Sequence, residues 1–305
     1  MTYAITGITG KVGGAMASSL LAARQRVRAV LRDARKGAAW EDRGCEIALA
    51  DMNDAAALTG AFKGTDGVFI LFPPIFDPAP GFPEASAIAS SLRDALLAAQ
   101  PAKVVCLSTI GAQATRPNLL TQLSIMEEVL GELPMPVTFL RPAWYVENCS
   151  WDVAAARDDG VIHSFLQPLD KPVPMVSTAD VGSVAAELIH ETWSGRRIVE
   201  LEGARRVTPN EIAVTFSTIL GRPVRMQAVP RETWESLFKS QGMKYPAPRM
   251  RMLDGFNAGW IEFEGGQAGS RKGTTTLHTV LEGLVALAAD SGVQDAIAAE
   301  TDSRP

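Results

Sequence analysis

Three glycines near the start constrain this chain more than any other feature. Directly after a short apolar run, Tyr3-Ala-Ile-Thr6, comes Gly7-Ile-Thr-Gly10-Lys-Val-Gly13, and Val12 to Ala23 then reads as a helix of small and apolar residues. A strand, a glycine turn and a helix in that order open a parallel α/β sheet. Such a turn lets backbone amides approach a pyrophosphate at the helix N-terminus. GxxGxxG is a variant of the GxGxxG dinucleotide fingerprint. Its position between strand and helix gives it meaning, because the triplet alone is weak. The alternative is a glycine turn without a ligand.

The alternation continues. Strands are expected at Val27–Leu31, Cys45–Leu49, Gly67–Phe72, Lys103–Leu107 and Pro136–Leu140, with helices at Ala55–Phe62, Glu84–Ala99 and Leu120–Leu130 between them. The apolar runs lack in-out alternation, which means a sheet covered on both faces. Asp54 is placed to cap the helix that follows it. Beyond residue 150 the pattern loosens: helices at Asp180–Glu191, Glu211–Leu220, Glu232–Gln241 and Leu277–Ala289, a strand at Ile198–Leu201, and a tail from Glu300 expected to fray. Thr208-Pro-Asn-Glu211 fits a capping box with proline at the first helical position. The expected fold class is α/β, a doubly wound parallel Rossmann sheet with a smaller α/β C-terminal lobe. Residues 1–150 form the NADP-binding part, and 151–305 complete the sheet and form the substrate-side lobe.

At 305 residues, 47% hydrophobic and 21% charged, the chain has ordinary globular composition. A net charge of −5 argues against coating nucleic acid or an anionic membrane. The most apolar run, Val68 to Phe72, stops at Pro73-Pro74, far too short to span a bilayer. The first residues show no signal-peptide pattern, so a cytoplasmic location is expected. Cys45, Cys106 and Cys149 suit buried free thiols in a reducing compartment. His163, His190 and His278 have no zinc-site spacing, and no metal is expected.

The end of the second strand selects the cofactor. NAD enzymes usually place an acidic residue there to bind the ribose hydroxyls. Here Leu31-Arg32-Asp33-Ala34-Arg35-Lys36 puts Arg32 in that position, with Arg35 and Lys36 adding charge. A guanidinium grips a 2′-phosphate with two parallel hydrogen bonds. NADP(H) is therefore expected. The alternative is a solvated basic turn, and Asp33 keeps NAD(H) open. Asp51-Met52 closes the third strand, where Asp51 either meets the adenine amino group or caps the next turn.

With these residues in view, GITGKVGG, LRDARK, LSTIGA and the segment Leu140-Arg141-Pro142-Ala143-Trp144-Tyr145-Val146-Glu147-Asn148 resemble the NmrA-like branch of the atypical short-chain dehydrogenase/reductases. That branch includes quinone oxidoreductase-like enzymes, an azoreductase and dinucleotide-binding regulators. The resemblance is good over roughly residues 1 to 190. It implies a nicotinamide near three strand ends: Phe72-Pro73-Pro74, Ser108-Thr109 and Pro142 to Tyr145. The cofactor set is then Gly7, Thr9, Gly10, Lys11, Val12, Gly13, Arg32, Lys36, Asp51, Met52, Phe72, Pro73, Ser108 and Thr109. Ser108 and Tyr145 are the catalytic candidates. Pro74, Trp144, Tyr145 and Asn148 are the substrate candidates, with Trp144 and Tyr145 as an aromatic wall. Ser108 can equally make a local turn bond, Trp144 or Tyr145 can be core, and Glu147 is expected to pair with a cation. Glu127 matches a recurring family glutamate with a supporting role. The segment Met252–Glu264 is either a lid or a packing loop.

An absence narrows the chemistry. The Tyr-x-x-x-Lys dyad of typical short-chain dehydrogenases does not occur: Gly7, Cys149 and Arg249 follow the three tyrosines at that spacing. Alcohol oxidation needs a base and is disfavoured. Reduction of an acceptor that solvent can protonate fits better, such as a quinone, azo compound or other small electron-poor aromatic. The competing class is a non-catalytic NADP(H)-binding redox sensor acting through a protein partner. Both readings are compatible with a homo-oligomer.

Overall fold

The computed structural model describes residues 1–302, with side chains through residue 289. The first half runs β1 (Thr2–Thr6), α1 (Lys11–Ala22), β2 (Arg26–Leu31), α2 (Ala38–Glu41), β3 (Glu46–Leu49), α3 (Ala55–Phe62), β4 (Gly67–Leu71), α4 (Pro83–Ala99), β5 (Val104–Leu107), α5 (Thr121–Leu130) and β6 (Val137–Pro142). The second continues with β7 (Trp144–Tyr145), α6 (Val153–Asp158), β8 (Val161–Ser164), β9 (Met175–Val176), α7 (Thr178–His190), β10 (Arg196–Glu202) and α8 (Pro209–Leu220). After these come β11 (Arg225–Ala228), α9 (Trp234–Ser240), α10 (Ala247–Ala258), α11 (Gly266–Gly269), β12 (Arg271–Lys272) and α12 (Leu277–Asp302).

The main sheet has eight strands in the order β12-β10-β6-β5-β4-β1-β2-β3, and its neighbours pair in parallel. It is the doubly wound α/β sheet that the apolar runs imply. Alternate residues feed two cores. Tyr3, Ile5, Phe69 and Val105 pack with α1 and α7 on one face. Ala4, Val68, Ile70, Val104 and Cys106 pack with α3, α4 and α5 on the other. Burial is complete along β1, β5 and β6 and lapses at the edge strand β3, as expected when helices cover the middle of a parallel sheet.

Local signals act where they occur. The Asp54 carboxylate accepts from Ala57 N at 2.9 Å. Thr208 and Glu211 complete the capping box of α8, with Pro209 at its first position. The last helix runs past the expected end at Ala289 to Asp302, because no proline stops it. The tail expected to fray lies partly in its final turn and otherwise outside the described residues. Two pairings had no visible signal: β11 with β8, and β7 with β9, each a short parallel pair beside the main sheet. Cys45, Cys106 and Cys149 are free and buried.

Candidate functional site

The sheet order places the C-terminal ends of β4, β1 and β2 side by side, and the glycine loop follows β1 at their centre. Gly7 has φ +66°, the left-handed region that a side chain resists. The turn closes with Gly10 N donating to Gly7 O at 3.0 Å. A Cβ on Gly13 would lie 2.3 Å from Gly7 O, so the third glycine lets α1 start against the turn. Gly10 is the N-cap of α1, with no side-chain cap and no acid in the first turn. The first amides of α1 therefore point outward without an internal acceptor. Thr9, Gly10 and Lys11 are exposed, while Val12 and Gly13 are buried beneath them. Free amides, a positive helix end and an exposed glycine at the N-cap fit a pyrophosphate.

At the end of β2 the charges sort themselves. Arg35 donates twice to Asp33, from Nε to Oδ1 at 3.1 Å and from Nη2 to Oδ2 at 2.9 Å. That pairing holds the Asp33 carboxyl below its ordinary range. Arg32 and Lys36 are exposed and make no ion pair with the described residues. Asp51 accepts from Asn53 N at 2.9 Å and from Asn53 Nδ2 at 3.2 Å, so it does cap its turn. These bonds lower its pKa, with a smaller pull from nearby Arg32. Arg32 and Asp51 thus flank one spot beyond the paired ends of β2 and β3.

The other strand ends form a second cluster. Phe72 is buried, Pro73 half-buried and Pro74 exposed as the chain leaves β4. Ser108 follows β5, and its hydroxyl donates to Glu127 Oε1 at 2.5 Å. Arg141 at the end of β6 clamps the same carboxylate, with Nε at 2.8 Å from Oε1 and Nη2 at 2.6 Å from Oε2. Both partners are buried. Burial is the largest single effect and works against the Arg141 charge, but the hydrogen bonds and attraction of Glu127 and Glu264 together outweigh it and raise its pKa. Glu127 therefore ties α5 to the ends of β5 and β6, the supporting role that the resemblance implied. Thr109 is half-buried, its Oγ1 donating to Ile110 O at 3.2 Å.

Trp144 is half-buried and packs edge-on against Phe256, ring centroids 5.2 Å apart. Tyr145 is half-buried, and burial, helped by Glu147, pushes its phenol well above the ordinary range. Asn148 is half-buried with no hydrogen bond to the described residues. Glu147 departs from expectation: it pairs with no cation among the described residues. Its Oε1 instead accepts from Thr178 N at 2.8 Å and Thr178 Oγ1 at 2.6 Å at the start of α7. Free amides at a helix N-terminus attract a carboxylate as a cation would.

The 252–264 segment is a packing element. α10 ends at Gly259, and the chain doubles back with Trp260 N and Ile261 N donating to Gly255 O. Met252, Leu253, Phe256, Ile261 and Phe263 are buried in the core of the α1 face. A cavity of about 390 Å³ lined by Glu200, Glu264 and Arg271 lies by β10 and β12, away from the glycine loop. Among the described residues no group of His, Cys, Asp and Glu could hold a metal ion, and no helix is long and apolar enough to cross a membrane.

A family model, the NmrA-like family, matches residues 1–257. The chain belongs to that family. Among NmrA-like relatives it is 25% identical over 241 residues to an NAD(P)H azoreductase of Xenophilus azovorans, covering 78% of this chain and 81% of that protein. It is 26% identical over 245 residues to quinone oxidoreductase 2 of Escherichia coli, covering 79% and 82%. A solved structure of an E. coli NADPH-dependent quinone oxidoreductase complexed with NADPH superimposes with a TM-score of 0.76 at 24% identity, over 93% of this chain and 99% of that one. The NmrA-like sheet thus brings the loop, Arg32, Asp51, Phe72, Ser108 and Trp144 to one end of the molecule. Sequence reasoning missed how Arg141 and Glu127 combine. They stand 14 residues apart on different elements, and no local pattern signals their contact.

Proposed function

We propose that this protein is an NAD(P)H-dependent oxidoreductase that prefers NADPH and reduces a small aromatic, quinone-like or azo acceptor by direct hydride transfer. The observation that carries the cofactor choice is the charge pairing beyond β2. Asp33, the carboxylate next to Arg32 in sequence, is engaged by Arg35, while Arg32 and Lys36 remain available to a 2′-phosphate. The uncapped start of α1 takes the pyrophosphate. The azoreductase and quinone reductase relatives support both cofactor and acceptor class.

The bound nicotinamide supplies the hydride. The chain's own residues bind, orient and exclude water. Phe72 and Pro73 wall the crevice beside the end of β4, and Trp144 with Tyr145 supplies a flat surface for an aromatic acceptor. Neither hydroxyl at hand is a ready acid. Ser108 commits its proton to Glu127, and burial keeps the Tyr145 phenol protonated. The proton that completes reduction therefore comes from solvent, which quinones and azo compounds tolerate.

NADPH oxidation followed at 340 nm against quinones, azo dyes and enones tests this. Ser108→Ala and Tyr145→Phe should each lower turnover less than about tenfold, below the 10²–10⁴-fold expected for a lost general acid. Tyr145→Ala should do more harm than Tyr145→Phe. A hundredfold collapse in Tyr145→Phe with intact cofactor binding would make Tyr145 a proton donor. No reduction of any acceptor would favour the sensor.

A further inference from the structure

Among the described residues no acid pairs with Arg249. It lies half-buried on α10, with its guanidinium carbon 4.5 Å from the Phe238 ring centroid. Its hydrogen bonding among the described residues is one long contact from Nη1 to Met243 Sδ, at 3.9 Å. Arg231 in the same lobe shows the contrast, since it is clamped twice by Asp254, at 2.6 and 2.7 Å. Burial pushes the Arg249 pKa down with no carboxylate to offset it. A guanidinium nonetheless stays charged at neutral pH, and a half-buried charge without a partner is costly.

Its place in the fold says what could partner it. The start of α10 is tied to the loops that leave β4 and β5. Pro248 O accepts from Leu119 N at 2.9 Å. The Asp77 carboxylate accepts from Lys244 N and Tyr245 N, each at 2.7 Å. Phe256, seven residues after Arg249 and so on the same face of α10, touches Trp144 beyond β6. Arg249, in the first turn of α10, therefore lies at the same end of the sheet as the proposed acceptor site. Phe76 and Tyr245, in the two segments that Asp77 joins, are 59% and 40% exposed. A planar cation oriented by the Phe238 ring, with no acid of its own among the described residues, suits an oxyanion carried by a flat molecule.

We propose that Arg249 is a specificity-determining residue that seats an anionic oxyacid group, a carboxylate, sulfonate or phosphate, carried by the aromatic acceptor. This rests on the reductase reading for the word acceptor, and the experiment separates the two. Naphthalene-2-sulfonate and neutral 2-naphthol are titrated calorimetrically into the full chain with NADPH present, for the unaltered protein, Arg249→Met and Arg249→Lys. In parallel, KM and kcat are measured for 1,2-naphthoquinone and its 4-sulfonate. Arg249→Met should cut the preference for sulfonate over neutral probe tenfold or more. The corresponding kinetic loss should fall mainly in KM for the sulfonated quinone, and Arg249→Lys should recover part of it. In the unaltered protein, raising NaCl from 50 to 500 mM should weaken the sulfonate and spare the naphthol, a readout that needs no variant to fold. Equal weakening of both probes in Arg249→Met, or sulfonate binding insensitive to salt, would overturn the assignment. The binding arm decides the role of Arg249 whether or not a quinone is reduced. Failure of the unaltered protein to reduce either quinone would count against the reductase reading alone.

Discussion

Arg32 and Gly10 carry most of the cofactor argument, and each can be tested by one substitution. Removing the Arg32 guanidinium would delete the proposed charge-assisted contact with the 2′-phosphate, worth about 1.5–3 kcal/mol, on the order of ten- to a hundredfold in affinity. Arg32→Ala should therefore weaken NADPH by that factor and barely change NADH, as read by calorimetry. Equal losses for both cofactors would give Arg32 another role. Gly10→Val separates site from fold. A Cβ at Gly10 meets only Gly7 O, at 3.3 Å, whereas at Gly13 it would collide at 2.3 Å. The Gly10 variant should stay folded by circular dichroism yet lose NADPH binding, since its branched side chain occupies the amide approach. Tight NADPH binding by that variant would remove the dinucleotide reading. Both residues were legible in the sequence because their signals are local: three glycines in fixed spacing, and a basic residue at a strand end.

At the scale of elements, legibility follows the reach of the signal. Strands β1 to β6 announce themselves as apolar runs, and the caps of α3 and α8 sit within four residues of the amides they satisfy. The Arg141–Glu127–Ser108 cluster joins three elements, so it was not legible, and neither were the short pairs β7–β9 and β8–β11. Neither expectation for Ser108, a ligand contact or a local turn bond, included its actual acceptor, which lies 19 residues away. The turn of 3₁₀ helix at Val146–Asp152 holds another tertiary effect. Burial pushes Asp152 up to about 6 from an ordinary 3.8. The unfolded chain releases that proton first, so between about pH 4 and 6 the folded state holds more protons, and stability falls as pH rises through the window. Asp152→Asn should therefore raise the melting temperature relative to the unaltered protein at pH 7.5 and change it little at pH 4. A difference constant across that range would mean that Asp152 is solvated.

Taken as a whole, the molecule shares its first helix between its two halves. α7 packs on α1 closely enough that a Cβ on Gly182 would lie 2.5 Å from Ala15 Cβ and 2.8 Å from Val12 O. The same helix delivers His190, whose Nδ1 lies 3.1 Å from the Tyr3 hydroxyl in the first strand. Val181, Ala185, Leu188 and Ile189 cover apolar side chains that β1, β4 and β5 present to that face. A division of labour at residue 150, natural on the sequence, therefore does not correspond to a line along which the molecule could be cut. A fragment ending there would keep every glycine of the loop and Arg32, but would present Tyr3, Phe69 and Val105 to water. Such a fragment should bind the dye 8-anilinonaphthalene-1-sulfonate, lose its near-ultraviolet circular dichroism and fail to retain NADPH. A well-folded, NADPH-binding fragment would show that α7 is dispensable. The α1–α7 contact thus takes autonomy from the dinucleotide half, which is expected to keep its structure only with the other half folded against its back.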